Sequence, residues 1–450
     1  MARAEDRIRA TSALPGDGPL ESAEPLAEEV VAAVPPEVLT DTLREYSRAW
    51  LRRTTGGDSG ILPVVMALVA IGIAFQVWTQ GLFLSPENLV NLFIESMVFM
   101  TLGMAEIFVL LLGEIDLSAG YTLAVAAAIA AILVQKPGFD LPWWIACIFT
   151  LLCCCATGVV WGTLVSRLRL PSFVVSLAGL LVMWGVMLLI LGNAGTVSVS
   201  SDILHNQHVI YEIVNGNIPP VASWIGLAVL AVLFGGLLWF RDHHRRRRGM
   251  VAPPPGLTLL KIAFFVAVGI AVVAICNVNR GAVASTVEGV PWVVPIVFAI
   301  LAIWIVLLQR TRFGRYVYAI GGNADAARRA GINLARIRTW GFVLCALTAG
   351  IAGIFYLSWQ GGTSTDVNGG QYVLYGVAAA VIGGTSLFGG RGKVAQAILG
   401  GLVIGAIYNG LYLQGVQVQW QLIATGLVLV GAVTIDTVSR RGSAGGQTRV

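Results

Sequence analysis

Twelve apolar runs of roughly bilayer length, separated by short polar punctuation, constrain this chain more than any other feature. They fall at 61–82, 92–112, 117–134, 143–165, 173–191, 222–240, 258–276, 291–309, 340–358, 372–387, 395–412 and 419–437. A hydrocarbon core of ~30 Å is crossed by a helix of roughly 20 apolar residues, so each run is a candidate span. The third and tenth are short and rich in Gly, Ala and Ser, which marks them as broken or re-entrant. Hydrophobic residues make up 56% of the chain and charged residues 12%. A soluble chain carries about 25% charge, and with half of that this one could not cover a water-facing surface. The fold class expected is an all-α, polytopic transmembrane helical bundle of about 10–12 spans.

Arginine and lysine set the orientation, because positive residues gather in cytoplasmic loops. Between residues 44 and 441, alternating the spans from a cytoplasmic N-terminus puts 23 Lys and Arg inside and two, Lys136 and Arg280, outside. Both termini are therefore expected in the cytoplasm of a multi-pass protein of the cell (plasma or inner) membrane. The net charge of +5 comes from these loops, so it says nothing of nucleic acid. The Arg245–Arg248 run, followed by Pro253-Pro-Pro255, reads as an anchor for anionic lipid.

Three regions follow. Residues 1–55 hold most of the 11 acidic residues that precede position 60 and read as a largely disordered cytoplasmic tail. Near 38–53, Leu39, Leu43, Tyr46 and Trp50 recur at helical spacing beside four arginines, as in a short interfacial helix. Residues 56–438 form the membrane domain, including a long inside loop at 310–339, and 439–450 form a C-terminal tail.

The chain contains no G-x-x-x-x-G-K-[ST] phosphate loop, no H-E-x-x-H, no G-x-S-x-G and no dinucleotide fingerprint. Its six cysteines lie in apolar runs without zinc spacing. No catalytic residue, metal or cofactor is expected, and the energy for any transport must come from a partner or an ion gradient.

Three segments carry information about function. In Gly113-Glu-Ile-Asp-Leu-Ser-Ala-Gly120, Glu114 and Asp116 interrupt what would otherwise be one apolar run. Charge at bilayer depth costs ~2.5–3.5 kcal/mol and needs a partner or a wet cavity. Asp116 is either a cap for the following helix or part of a transport path, and the two roles are compatible. Glu95 and Glu106, three helical turns apart, share a face expected to look into the protein. The second segment, Val381-Ile-Gly-Gly-Thr-Ser-Leu-Phe-Gly-Gly390, echoes the first break and suggests an inverted repeat with interrupted helices; close helix packing through glycine is the alternative. The third is the inside loop, where Asn323 can cap a short helix, Asp325 sits in its first turn and Gly331 ends it. Such a helix across the membrane face suits a partner's groove.

At this loop the chain resembles a known family. Thr311-Arg-Phe-Gly-Arg315, Ala319-Ile-Gly-Gly-Asn323, Ala326-Ala-Arg328 and Gly331-Ile-Asn333 resemble the membrane permeases of carbohydrate-importing ATP-binding cassette systems, of the ribose and xylose kind. The likeness extends to Gly113–Ser118, Arg169-Leu-Pro-Ser-Phe-Val174, Ala378–Leu387, Asn409-Gly410 and Trp420-Gln421. The two additional spans around the arginine-rich loop (222–276) resemble the xylose-type branch more than the shorter ribose type.

The resemblance implies a permease subunit that moves a monosaccharide, xylose-like, into the cytoplasm without chemistry of its own. It implies a second permease copy, cytoplasmic ATPase subunits that hydrolyse the ATP, and an extracytoplasmic sugar-binding protein docking on the loops at 193–221 and 359–371. Asn323, Asp325, Ala326, Ala327, Arg328, Gly331 and Ile332 would then couple to the ATPase. Glu114, Asp116, Ser118, Phe173, Thr385, Ser386 and Asn409 would be candidates for the translocation path. Cargo of nucleosides or branched-chain amino acids, and an ion-coupled secondary transporter using the intramembrane carboxylates, are the rival readings.

Overall fold

The computed structural model describes residues 62–135, 138–199, 206–248, 250, 252–281 and 286–445; the tail at 1–55 and the interfacial helix near 38–53 lie outside the described residues. The helices are α1 Leu62–Trp78, α2 Pro86–Leu110, α3 Ala119–Val134, α4 Trp143–Ser166, α5 Ser172–Leu191, α6 Gln207–Asn215, α7 Pro220–Arg247 and α8 Pro255–Cys276. They continue as α9 Val293–Arg310, α10 Arg312–Gly322, α11 Ala324–Arg329, α12 Leu334–Gln360, α13 Gly369–Ile382, α14 Val394–Leu413 and α15 Val418–Gly445. A 3-10 turn at Gly192–Ala194 and four short strands complete the described elements: β1 Thr196–Ser198, β2 Asn217–Ile218, β3 Val290–Pro291 and β4 Gly362–Ser364.

The architecture is an all-α polytopic bundle. Among the described residues eight helices (α2, α4, α5, α7, α8, α9, α12 and α14) are long and apolar enough to cross a membrane. Shorter apolar helices at Leu62–Trp78, Ala119–Val134, Gly369–Ile382 and Val418–Val428 account for the other four apolar runs. The third and tenth runs became α3 and α13, of 16 and 14 residues. At 1.5 Å per residue these span roughly 24 and 21 Å, short of a ~30 Å core. The last helix continues to Gly445, into the region expected as a tail.

Two compact units divide the chain. Among the described residues, one comprises Val221–Ala274 and the other residues 62–220 and 275–445. In the first, α7 and α8 form a hairpin around Asp242, which is buried and ion-pairs with Arg241 at 3.0 Å. Thr258 donates to Asp242 at 3.0 Å and accepts from Arg246 at 2.8 Å, while Arg246 also donates to the Pro253 carbonyl and lies over the Trp239 ring. One buried acid thus organises a basic turn whose other arginines remain exposed.

In the second unit, α2 and α12 form the core. Ser85 starts α2 by accepting the Asn88 N–H ahead of Pro86, whose missing N–H costs nothing at the first turn. From Ser96 onward every residue of α2 is buried. α2 packs on α12, α13 and α14, and α12 packs on α3 and α4.

These contacts contain an inverted repeat. α12 begins beside Glu114, just beyond the end of α2, through the Arg338–Glu114 ion pair, so the two long helices run antiparallel. Each is followed by a non-helical stretch, 111–118 or 361–368, and then a short helix. α2 packs on α13, α12 on α3, and the short helices on each other. A Cβ on Gly120 would lie 1.9 Å from the Gly369 carbonyl oxygen, so the first turns of α3 and α13 meet backbone to backbone. The counterpart of the 113–118 interruption is therefore 361–368 and not the glycine-rich 381–390. Inversion exchanges the ends of the helices, whereas 113–118 and 381–390 lie at the same end.

At the opposite end, β1 pairs antiparallel with β4, with Thr196 opposite Ser364, and β2 pairs with β3. Between them α6 buries Ile210 and Val214. Ser358 of α12 fixes it, donating to the Tyr211 carbonyl at 2.8 Å and accepting the Val214 N–H at 2.9 Å.

Candidate functional site

The end of the bundle carrying α11 brings together most of the residues singled out above. Thr311 caps α10 by accepting the Gly314 N–H, and Gly314, Val317 and Ile320 form the buried stripe. The last turn of α10 approaches both the end of α2 and the glycine-rich 381–390 segment. A Cβ on Gly321 would lie 1.8 Å from the Leu111 carbonyl oxygen and 2.5 Å from the Gly390 nitrogen. The same Leu111 carbonyl accepts the Gly390 N–H at 2.9 Å. Tyr318 donates from its hydroxyl to the Gly392 carbonyl at 2.8 Å. Burial raises that phenol above its ordinary value, so it stays a donor at any physiological pH.

α11 rests directly on this junction. Asn323 caps it, its side chain accepting the Ala326 N–H at 2.9 Å, and Asp325 occupies the first turn. Ala327 is buried beneath the helix, while Asp325, Ala326, Arg328 and Arg329 face outward. Asp325 and Arg328 approach to 3.5 Å, but both are too exposed for the pair to add much stability. The Ile332 N–H closes onto the Ala327 carbonyl at 3.1 Å, and Gly331 takes the left-handed conformation (φ +82°) that ends the helix. Asn333 then caps α12. All seven residues read from the 323–332 segment thus belong to one small, outward-facing element.

The path candidates divide between two places. Glu114 pairs with Arg338 at 3.3 Å. Asp116 is fully buried; one oxygen accepts both the N–H and the hydroxyl of Ser118, and the other has no hydrogen-bond partner among the described residues. Asp116 therefore captures the residue just ahead of α3, a reach of two residues typical of Asp in a turn, rather than an N–H within the helix. Ser386 accepts the Phe388 N–H, and Thr385 is buried with its hydroxyl unpartnered among the described residues. Glu114, Thr385 and Ser386 lie on the two segments that meet the last turn of α10, while Asp116 and Ser118 sit just ahead of α3, with Ser118 facing Gly179 of α5. Phe173, on α5, is 55% exposed. Asn409 also stands apart, in a buried polar chain with Asn88 and Glu95 along α2 and α14.

Sequence reading missed α10, although Thr311 followed by apolar residues at 313, 317 and 320 is a capped amphipathic pattern. Glu106 is fully buried with neither oxygen partnered among the described residues. Among the described residues no group of three or more His, Cys, Asp or Glu is placed to hold a metal ion.

Comparison with known proteins identifies the family. Residues 88–433 match the family described as the branched-chain amino acid transport system / permease component. The chain belongs to this permease family. Individual relatives agree with the match along almost their whole length. The permease is 32% identical over 397 residues to the xylose transport system permease protein XylH of Escherichia coli (strain K12), covering 87% of this chain and 96% of the relative. It is 34% identical over 392 residues to XylH of Haemophilus influenzae, covering 84% and 97%. It is 30% identical over 396 residues to the ribose import permease protein RbsC of Escherichia coli (strain K12), covering 87% and 96%. No solved structure matches the chain. The permease is a multi-pass membrane transport protein.

Proposed function

We propose that this permease is the membrane subunit of an ATP-driven importer that moves a monosaccharide, xylose-like, into the cytoplasm. The observation that carries the reading is α11: a capped, outward-facing helix joined at Asn323 to the last turn of α10, whose Gly321 lies against the backbone of Leu111 and Gly390. Force applied to such a helix reaches the end of α2 through Leu111 and the glycine-rich segment ahead of α14 through Gly390. The relatives named for xylose and ribose support the sugar.

In this reading α11 lies in the cytoplasm with both termini and docks in a cleft of a separate ATPase subunit, which carries out the hydrolysis. Asn323, Asp325, Ala326, Ala327, Arg328, Gly331 and Ile332 form the docking element. A second permease copy completes the membrane unit in the cell's inner membrane, and a sugar-binding protein docks at the strand end. The permease works by favouring one of two conformations according to the state of its partners. Glu114, Asp116, Ser118, Thr385 and Ser386 form the gate region of the path where it meets the α10–α11 junction.

The family description favours one rival, a branched-chain amino acid as cargo. Uptake by proteoliposomes containing the permease, its ATPase and its binding protein separates the two. ATP-dependent accumulation of xylose or ribose without an ion gradient is the expected result. Accumulation of leucine instead, or sugar uptake that needs an ion gradient and not ATP, would refute the proposal.

A further inference from the structure

Glu95 lies nine residues into α2, about 14 Å along a membrane-spanning helix, where a carboxylate needs a partner or a wet surface. No cation pairs with it among the described residues. One oxygen instead accepts from Asn409 Nδ2 at 3.0 Å, Asn409 accepts from Asn88 Nδ2 at 2.8 Å, and Asn88 donates also to the Phe83 carbonyl at 2.9 Å. This chain of amides fixes the carboxylate and leaves its other oxygen without a hydrogen bond among the described residues, on a side chain that remains partly exposed.

One helical turn on, Phe99 opens a cluster of rings. Its centroid lies 5.1 Å from Tyr375, 5.7 Å from Tyr408 and 6.2 Å from Tyr372. Tyr356 packs edge-on to Tyr372 at 5.3 Å. Phe99, Tyr375 and Tyr356 are buried, whereas Tyr372 and Tyr408 are only partly covered. Gln371 Nε2 donates to the Tyr375 hydroxyl and Tyr356 bonds to Tyr372, whereas the Tyr408 hydroxyl has no hydrogen bond among the described residues, so packing alone does not explain a phenol there. Tyr372 occupies the first turn of α13, the short helix of the second repeat, and interrupted helices near mid-membrane are where transporters place their cargo sites.

We propose that Glu95, Tyr372 and Tyr408 form a sugar-contacting site within the permease, with Asn88 and Asn409 as positioning residues. The proposal rests on the importer reading above. The apolar C–H face of a pyranose or furanose packs on partly exposed tyrosine rings, while the free oxygen of Glu95 and the phenols accept from and donate to its hydroxyls. The permease then selects cargo in its own right, at a site distinct from the α11 end.

The test uses the assembled transporter in proteoliposomes, with labelled D-xylose and D-ribose and parallel measurement of ATP hydrolysis stimulated by the loaded binding protein. Glu95→Gln is expected to lower uptake roughly ten-fold, the effect of losing one charge-assisted hydrogen bond, with hydrolysis within about two-fold of wild type. Tyr372→Phe and Tyr408→Phe are expected to change the xylose-to-ribose ratio. They also carry the test if Glu95→Gln fails to assemble. Asn409→Ala is expected to reproduce the Glu95→Gln defect, and Asn409→Gln to recover part of the loss. Uptake and sugar ratio unchanged in every variant overturns the site, and so does hydrolysis falling in step with uptake, which would mark these residues as structural. A wild-type transporter that imports no monosaccharide refutes the importer reading itself, and this site with it.

Discussion

Gly321 and Gly322 are neighbours at the end of α10, and replacing each by Ala makes the same chemical change in two different surroundings. A Cβ at Gly322 meets nothing within 4 Å. A Cβ at Gly321 would lie 1.8 Å from the Leu111 carbonyl oxygen, where an ordinary contact is about 3.5 Å. The two segments must therefore separate by about 1.5 Å or more. The displaced atom is the acceptor of the Gly390 N–H bond, so the bond is strained by the same movement. Overpacking costs about 1–3 kcal/mol and a lost hydrogen bond about 1 kcal/mol, against a gain of about 0.5–1 kcal/mol for Ala over Gly in a helix. Gly321→Ala is thus expected to destabilise by about 2 kcal/mol, while Gly322→Ala is neutral or slightly stabilising. The assay is thermal unfolding of both purified variants in one detergent, followed by sugar accumulated per ATP hydrolysed in proteoliposomes. Gly321→Ala should unfold at lower temperature and transport less per ATP. Equal melting temperatures and equal transport per ATP in the two variants would refute the idea that this junction transmits force.

Other outcomes follow from the same end of the molecule. Asn323→Ala removes the cap of a six-residue helix, a local loss of about 1 kcal/mol; hydrolysis should stay near wild type while uptake falls, and global melting should not move. Arg328→Glu leaves an exposed helix intact, so a defect should appear in co-purification of the ATPase and not in melting temperature. Reversing the Glu114–Arg338 pair one side at a time should reduce uptake, and Glu114→Arg combined with Arg338→Glu should recover part of it. Tyr318→Phe leaves the Gly392 carbonyl without its donor at a cost of about 1–2 kcal/mol, measurable as a lower melting temperature.

The helical runs were legible because lipid imposes one strong rule, a continuous apolar length, and every run became a helix. α11 was legible for a different reason: Asn323, Asp325 and Gly331 each act locally, within a turn of where they stand. What escaped was long-range. That Leu111, Gly321 and Gly390 share one carbonyl depends on three segments folding to the same point, and no local signal encodes such a meeting. The pairing of the interruptions failed for a related reason, since glycine content marks 113–120 and 381–390 alike, whereas inversion depends on helix direction. α6 and α10 were hidden by their length, because a nine- or eleven-residue amphipathic pattern is faint beside spans of twenty.

The β1–β4 pairing holds its register through main-chain bonds, with Val197 buried and Thr196 and Ser198 turned outward. Main-chain bonds are indifferent to which side chain each residue bears. Thr196 and Ser198 are therefore free to change one at a time while the join between the two repeats persists. Here the permease can vary what this end of the bundle presents without renegotiating its fold.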